Sequence, residues 1–381
     1  MKAVINVKKT GRKIISAALI LVMAGSMLLS GCDKEGDGKK EMKLETTQNA
    51  RKLTKDPAND DLDVDTGTDA PEVELTAGKK PVRSTGTWQP LAENEFLYDI
   101  KVTTHNVGHF YYGVTNLDVY GAQEKVDPGI LPEYIMNAYN DWMKVKEDLD
   151  SDIYAFQEWD PVFLIDTKKD LTISAEEAFD GAFQTLKYFE GKTGKGVTLY
   201  NALGVSKNSQ FALTDISSGF LGAKDKETQR LYVKGYTTVA GKLVAVFCIH
   251  LIPYGTSGDV ARQDSMRELA YLMSQEEYAI AMGDTNSNDI AAFMRKAGFH
   301  VANRDKFGDI NTYCYSEGEY IDNIFTTSNI DIQYVECDKN RKGGSDHYPL
   351  TAYLKIKDET NSAGIQVPVG EDGFMDGWYR P

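Results

Sequence analysis

A layered α/β fold, with sheets inside and helices outside, is what the sequence predicts, and three observations predict it. Between about residues 96 and 356, short runs of β-branched and aromatic residues alternate with stretches whose apolar positions recur at helical spacing. Several of the strand-like runs end in Asn, Gln, Glu, His or Asp. The composition is that of a globular chain, 381 residues with 41% hydrophobic and 26% charged, which excludes a wholly disordered protein, a collagen and a multi-pass membrane protein. Four cysteines are too few for a disulfide scaffold. A formal net charge of −15 speaks against a basic nucleic-acid-binding module.

The elements follow in order. Residues 96–105 and 152–157 read as strands, with a helix opening after Pro132 between them. Ser174 with Glu177 three residues later forms a capping box. The helix it opens is expected to continue through Ala178, Phe179, Ala182, Phe183, Leu186 and Phe189. Strands are expected at 197–205, 231–239 and 243–251, a helix at 260–273 and a short buried strand at 278–282. A helix at 290–297 is stopped by Gly298, and β-rich sequence runs on to Ile356.

The flanks read differently. Residues 1–32 carry Lys2, Lys8, Lys9, Arg12 and Lys13 before an apolar stretch at 14–29, the layout of a secretory signal. It ends in Leu29-Ser30-Gly31-Cys32, which resembles the lipobox of bacterial lipoproteins. The resemblance implies a diacylglyceryl group on Cys32 and a mature protein anchored to the extracytoplasmic face of a bacterial cell membrane. Residues 33–95 show no period and few aliphatics, as expected of a flexible acidic linker. Within it Asp61, Asp63, Asp65, Asp69 and Glu72 have the spacing of a calcium loop. Thr66 occupies the position that needs glycine, however, and Pro57 and Pro71 leave little room for flanking helices, so a solvated acidic spacer is expected. Residues 357–381 read as a C-terminal tail.

Chemistry gathers at the strand ends of the central domain, 96–356. His105-Asn106 closes the first strand and Gln157-Glu158 the second; Ile249-His250-Leu251 closes a run of Val, Ala and Phe. Gly283-Asp284-Thr285-Asn286 follows an apolar strand, and Ile321-Asp322-Asn323 places a carboxylate inside one. Last comes Ser345-Asp346-His347. Singly, an Asp after a strand is usually a turn residue and a lone His a structural group. Six such elements are another matter, because strand ends deliver side chains to one rim from rigid backbone.

In order and type, these motifs resemble the endonuclease/exonuclease/phosphatase family, the deoxyribonuclease I-like proteins, over about 260 residues. The resemblance implies a four-layer α/β sandwich: two packed mixed β-sheets flanked by helices. It also implies a metal-dependent phosphoric ester hydrolase. Glu158 would be the principal ligand of a divalent cation, usually Mg²⁺, with Mn²⁺ or Ca²⁺ as substitutes, helped by Asn106 and Asp346; an all-oxygen shell suits such an ion. His347 would be the general base, oriented by Asp322. Asp284 and Asn286 would position nucleophile and phosphate, His250 would donate to the phosphate oxygens, and Asn201 would lie on the substrate side.

Two departures bear on substrate. His250-Leu251 resembles the deoxyribonuclease I and sphingomyelinase branches, and Gly108 stands where the exonuclease III branch tends to have Asp, which disfavours abasic-site repair. The expected substrate is a phosphodiester, extracellular nucleic acid ahead of phospholipid headgroups. The central domain holds 25 Lys and Arg against 37 Asp and Glu, which disfavours a long DNA footprint. A phospholipid, inositol or sugar phosphate ester therefore stays as an alternative, and a non-catalytic surface binding lipoprotein as the rival class. A monomer is expected.

His109, Phe110, Tyr111, Tyr112, Tyr120, Tyr134, Tyr139 and Trp142 form either an aromatic wall over the site or, for Tyr139 and Trp142 above all, core packing. Gly191-Lys192-Thr193 reads as a turn ending a helix, Arg262-Gln263 as a solvated helix face, and 341–344 as either a basic rim or a simple loop. Cys248 reads as a buried small hydrophobe, whereas Cys314 and Cys337 stand as a possible pair.

Overall fold

The computed structural model describes residues 79–87, 90–111, 131–166, 169, 171–192, 198–221, 230–253 and 258–364. The signal, Cys32, the acidic run 61–72, Tyr112, Tyr120 and the chain beyond 364 lie outside them. Everything below belongs to the second of two compact units, Val64–Pro381. Among the described residues no helix is long and apolar enough to cross a membrane.

Two six-stranded sheets make the body of the fold. The first contains β3 (Ile100–Asn106), β4 (Ile153–Gln157), β7 (Phe183–Lys192), β8 (Thr198–Ser206), β15 (Ile330–Cys337) and β16 (Leu350–Ile356), in the order β15-β16-β3-β4-β8-β7. The second contains β9 (Thr214–Leu221), β10 (Arg230–Val239), β11 (Lys242–His250), β12 (Ala279–Asp284), β13 (His300–Val301) and β14 (Asp322–Thr326), in the order β13-β14-β12-β11-β10-β9. Each sheet holds one parallel pair at its centre, β3 with β4 and β11 with β12, between antiparallel neighbours. Parallel strands need a crossover. Helix α1 (Leu131–Glu147) lies between β3 and β4 in the chain, and a second helix, Gly258–Ser274, lies between β11 and β12.

The inner faces meet in an apolar core. Ile100, Val102, Ile153, Ala155, Leu203 and Val205 of one sheet pack against Val233, Val246, Cys248, Ile280, Met282 and Ile324 of the other. With α2 (Ala175–Ala178), the helix over 258–274 becomes α3, and α4 is Ile290–Lys296. Met266, Leu269 and Met273 of α3 and Met294 of α4 cover the outer face of the second sheet. Aromatic side chains cover the other outer face: Trp142 of α1, fully buried, meets the His105 ring at 5.2 Å and the Phe110 ring at 5.6 Å. Helix, sheet, sheet, helix is a four-layer α/β sandwich.

The largest correction concerns the helix expected after Ser174. The capping box forms, with Ser174 Oγ accepting from Glu177 N at 3.0 Å, but α2 is only four residues long. Gly181, at φ +74°, turns the chain, and residues 183–192 become a strand paired with β8. Gly191-Lys192 therefore ends a strand, not a helix. A hairpin of β5 (Val162–Asp166) and β6 (Leu171–Ser174), and edge strand β9, had no clear sequence signal. The folded part also exceeds 96–356. β1 (Lys80–Arg83) pairs in parallel with β2 (Glu95–Tyr98), and Ala363 is buried against the second sheet's outer layer. Arg83 Nη2 donates to buried Asp152 Oδ2 at 2.7 Å. Arg262, expected on a solvated face, is 5% exposed and donates to Ile252 O. Cys314 and Cys337 are free thiols.

Candidate active site

The central parallel pairs point their carboxyl ends to one rim, and register does the rest. Across the first sheet Asn106 pairs with Gln157 and Gln157 with Asn201. Across the second, His250 pairs with Asp284 and Asp284 with Asp322. Two rows of three polar residues thus stand level on facing sheets. Asn106 Nδ2 donates to Asp284 Oδ2 at 2.9 Å and ties the rows together. Gln157, fully buried, donates to Cys248 Sγ at 3.2 Å and accepts from Thr104, so it braces the sheets and stays out of the chemistry. Burial pushes the Cys248 thiol up to about 12, and it remains a small hydrophobe.

The Ser345-Asp346-His347 loop is anchored from below. Ser345 Oγ donates to Asn106 O at 2.6 Å and accepts from His347 N at 3.0 Å. Cys314 N donates to Asp346 O, and the His105 ring lies 3.3 Å from His347 O. Gly344 makes this possible: a Cβ there would lie 2.2 Å from Phe110 O. Lys342 Nζ donates to Ser345 O, and Arg341 pairs with Asp150 and Asp338. These cations are spent on holding the loop.

His347 and Asp322 form a buried dyad. His347 Nδ1 lies 2.8 Å from Asp322 Oδ2, and Asp322 has no exposed surface. The Tyr313 ring packs edge-on to the imidazole at 5.2 Å. Nε2 is left facing the site, 3.8 Å from Asp284 Oδ2. Burial opposes the charged ring, but Asp322 and Asp284 together hold His347 well above the usual imidazole range. His250 behaves oppositely: burial pulls it down to about 4 despite Glu158, so it is neutral at physiological pH. Its Nε2 lies 3.7 Å from Glu158 Oε1 and 3.6 Å from Asp284 Oδ2, while Nδ1 has no hydrogen-bond partner among the described residues. The carboxylates beside Nε2 place the proton there, making His250 a neutral donor aimed into the site.

Burial raises Asp284 to about 7, against the pull of His347 and with the push of Asp322. Its Oδ1 accepts from Asn286 N at 2.7 Å, and Asn286, at φ +50°, donates to Leu251 O. Asp346 rises to about 6, again mainly by burial, countered by His347 and helped by Glu158. Glu158 sits just past β4 at φ +52°, a left-handed backbone that non-glycine residues adopt at a cost.

This donor set fits a hard divalent cation. Glu158 acts electrostatically on buried Asp346, and Asn106 brings an amide oxygen that already accepts from Gly108 N; oxygen donors of this kind suit a hard cation. The grouping whose ligand atoms lie within 4.8 Å of one another among the described residues is Asp284, Asp322 and His347. Of the two groupings the first is chemically better, because Asp322 Oδ2 and His347 Nδ1 already occupy each other.

Of the residues singled out in the sequence, Asn106, Glu158, His250, Asp284, Asn286, Asp322, Asp346 and His347 are brought together. Asn201 lies in the first row, but its amide donates to Leu231 O at 2.8 Å and links the sheets. Of the two readings of the aromatic run, core packing holds for Phe110, Trp142 and Tyr139, while His109 lies beside Glu158. Sequence reasoning missed two residues. Arg230, buried at the start of β10, acts electrostatically on both Glu158 and His250. Asp160 lies 3.6 Å from His109. Neither belongs to a motif; Asp160 is close in sequence to Glu158, and that proximity was the one available signal.

Fold and site together define a layered α/β sandwich with a His–Asp dyad facing clustered carboxylates. No protein-family description matches the sequence, and no curated protein matches it. Solved structures similar to the chain include two bacterial endonuclease/exonuclease/phosphatase proteins and a human protein. One, from Bacteroides vulgatus, is 17% identical, with 68% of this chain and 99% of that chain covered and a TM-score of 0.47. Another, from Bacteroides thetaiotaomicron, is 18% identical, covering 70% and 98%, with a TM-score of 0.47. The human Nocturnin catalytic domain with bound sulfate is 14% identical, covering 68% and 95%, with a TM-score of 0.48.

Proposed function

We propose that the protein is an Mg²⁺-dependent phosphoesterase that cleaves phosphodiester bonds, exported and held by a lipidated Cys32 on the extracytoplasmic face of a bacterial membrane, and acting as a monomer. The observation that carries the catalytic part is the convergence of the two rows, Asn106–Gln157–Asn201 and His250–Asp284–Asp322, on the His347 loop. An imidazole whose Nδ1 is fixed by a buried carboxylate and whose Nε2 is exposed to the site is arranged to take a proton from water. Asp284, between the two Nε2 atoms, orients that water. His250, neutral and donating, meets a phosphoryl oxygen, and Arg230 supplies fixed positive charge behind it. A cation held by Glu158, Asp346 and Asn106 would neutralise charge developing on the phosphate and the leaving oxygen. His347 must be neutral to act, and positive charge on those carboxylates lowers its hold on the proton.

The net charge of −15 favours a compact substrate over a long nucleic-acid footprint, so nucleic acid and small or lipid phosphodiesters are compared directly. The test is hydrolysis of linear DNA, RNA, sphingomyelin, phosphatidylinositol, inositol phosphates and a sugar phosphate, each with Mg²⁺ and with chelator. The expected outcome is chelator-sensitive cleavage of at least one phosphodiester, with Glu158→Ala and His347→Ala each losing most turnover while remaining folded. Near wild-type hydrolysis in either variant would remove the mechanism. Radiolabelled palmitate incorporation lost in Cys32→Ser tests the anchor.

A further inference from the structure

Glu158 is an awkward residue on which to hang a cation. It follows the last residue of β4, its backbone is left-handed, and its side chain is 18% exposed. What steadies it comes from the loop after β3. His109 N donates to Glu158 O at 3.0 Å, and His109 is itself left-handed at φ +49°. The residues next to each are deep anchors. Phe110 and Trp159 are both fully buried, with ring centroids 5.0 Å apart, and Phe110 stacks on Phe163 at 3.9 Å. Two strained turns are therefore clamped back to back.

The side chains continue the pattern. His109 Nε2 lies 3.9 Å from Glu158 Oε2, and its Nδ1 lies 3.6 Å from Asp160 Oδ2. Asp160 is fixed in turn, because its Oδ1 accepts from Val162 N at 3.0 Å on the edge of the β5–β6 hairpin. The other Glu158 oxygen, Oε1, faces His250 Nε2 at 3.7 Å. We infer that His109 is a positioning residue: backed by Asp160, its imidazole holds Oε2 of Glu158 and leaves Oε1 turned to the face shared with His250. A ligand carboxylate steered by an outer imidazole and a further carboxylate binds its ion with less ordering to do.

The inference rests on Glu158 being a cation ligand, and the experiment separates the two claims. Mg²⁺ is titrated into the full chain and followed by thermal shift, with phosphodiester hydrolysis run in parallel. In wild type Mg²⁺ raises the melting temperature, and Glu158→Gln abolishes the rise. His109→Ala moves the half-saturating Mg²⁺ concentration up about 10- to 100-fold in both readouts, and lost turnover returns as Mg²⁺ is raised. Asp160→Asn moves it the same way by less, and the double variant is no worse than His109→Ala, as expected of residues acting in series. His109→Gln, which keeps one N–H, recovers part of the shift and carries the test together with Asp160→Asn if the alanine variant does not fold. An unchanged Mg²⁺ midpoint in folded His109 variants overturns the positioning role alone. So does a raised KM at a fixed midpoint, which would make His109 a substrate contact. A wild type with no Mg²⁺ response takes down the cation reading and this inference together.

Discussion

Asp322 is the residue whose placement makes least sense without the imidazole beside it. It has no exposed surface, one carboxylate oxygen bonds His347 Nδ1 and the other has no hydrogen-bond partner among the described residues. An isolated buried carboxylate costs several kcal/mol unless a partner compensates, so the group is retained for what it does to His347. Asp322→Asn keeps the shape but offers an amide where the ring needs an acceptor, which turns the imidazole toward the wrong tautomer. The expected loss in kcat is about 10²–10⁴-fold, with stability in urea lowered as well, because buried His347 loses the carboxylate that compensates its charge. A kcat within threefold of wild type would show that the dyad does not set the base. Arg230 belongs to the same scale: on the proposed function its charge would lie behind the substrate's phosphate, so Arg230→Ala should raise KM more than it lowers kcat in steady-state hydrolysis.

Strands deliver these groups, and they do so only if neighbouring backbones approach closely. Gly283, the residue before Asp284, shows the constraint: a Cβ there would lie 1.9 Å from Ile249 O on β11, a distance at which backbone must move. Gly283→Ala should therefore push β12 off β11 just where His250 and Asp284 are in register. A loss of about 2–4 kcal/mol in urea unfolding is expected, together with activity lower than the remaining folded fraction explains. Activity that simply follows the folded fraction would mean the register survives. At this scale strand ends are legible in sequence and some element types are not. The Asn106, Glu158, His250 and Asp284 positions were legible because each ends a strand-like run, and a strand end has one place to go in a packed sheet; His347 was legible only as part of the Ser345-Asp346-His347 motif. Residues 178–189 were not. Their apolar spacing suits a helix, and the capping box is real, but Gly181 at φ +74° stops the turn and β8 offers a ladder of nine paired positions; tertiary pairing overrode local periodicity. His109 was hidden for a related reason: its role depends on a left-handed turn packed on Trp159, and no spacing rule encodes that contact.

At the scale of the whole molecule, facing two sheets so that their polar rows meet concentrates carboxylates in a buried rim, and the fold bears that cost. Asp284 and Asp346, raised to about 7 and about 6 mainly by burial, keep protons in the native chain that an unfolded chain would release near 3.8. A group raised in the folded state contributes stability below its unfolded value and loses it as pH climbs through its folded value. His347, raised well above 6.5, adds to the same decline at higher pH. His105 and His250 act in the other direction. Lowered to about 3 and about 4 by burial, they add stability as pH rises from those values to about 6.5, and nothing beyond. Below about pH 6.5 the two sets oppose each other; above it only the losses remain. Chelated protein should accordingly become less stable between pH 6.5 and 8.5. On the proposed function Mg²⁺ would bind the deprotonated carboxylates, so it should stabilise more at pH 8 than at pH 6; where free Mg²⁺ is a hundredfold above its Kd the gain at that pH is about 2.7 kcal/mol. Urea midpoints measured with Mg²⁺ and with chelator at the two pH values check this. A gain from Mg²⁺ that is the same at both, or greater at pH 6, would mean that the rim carboxylates are not what the ion binds.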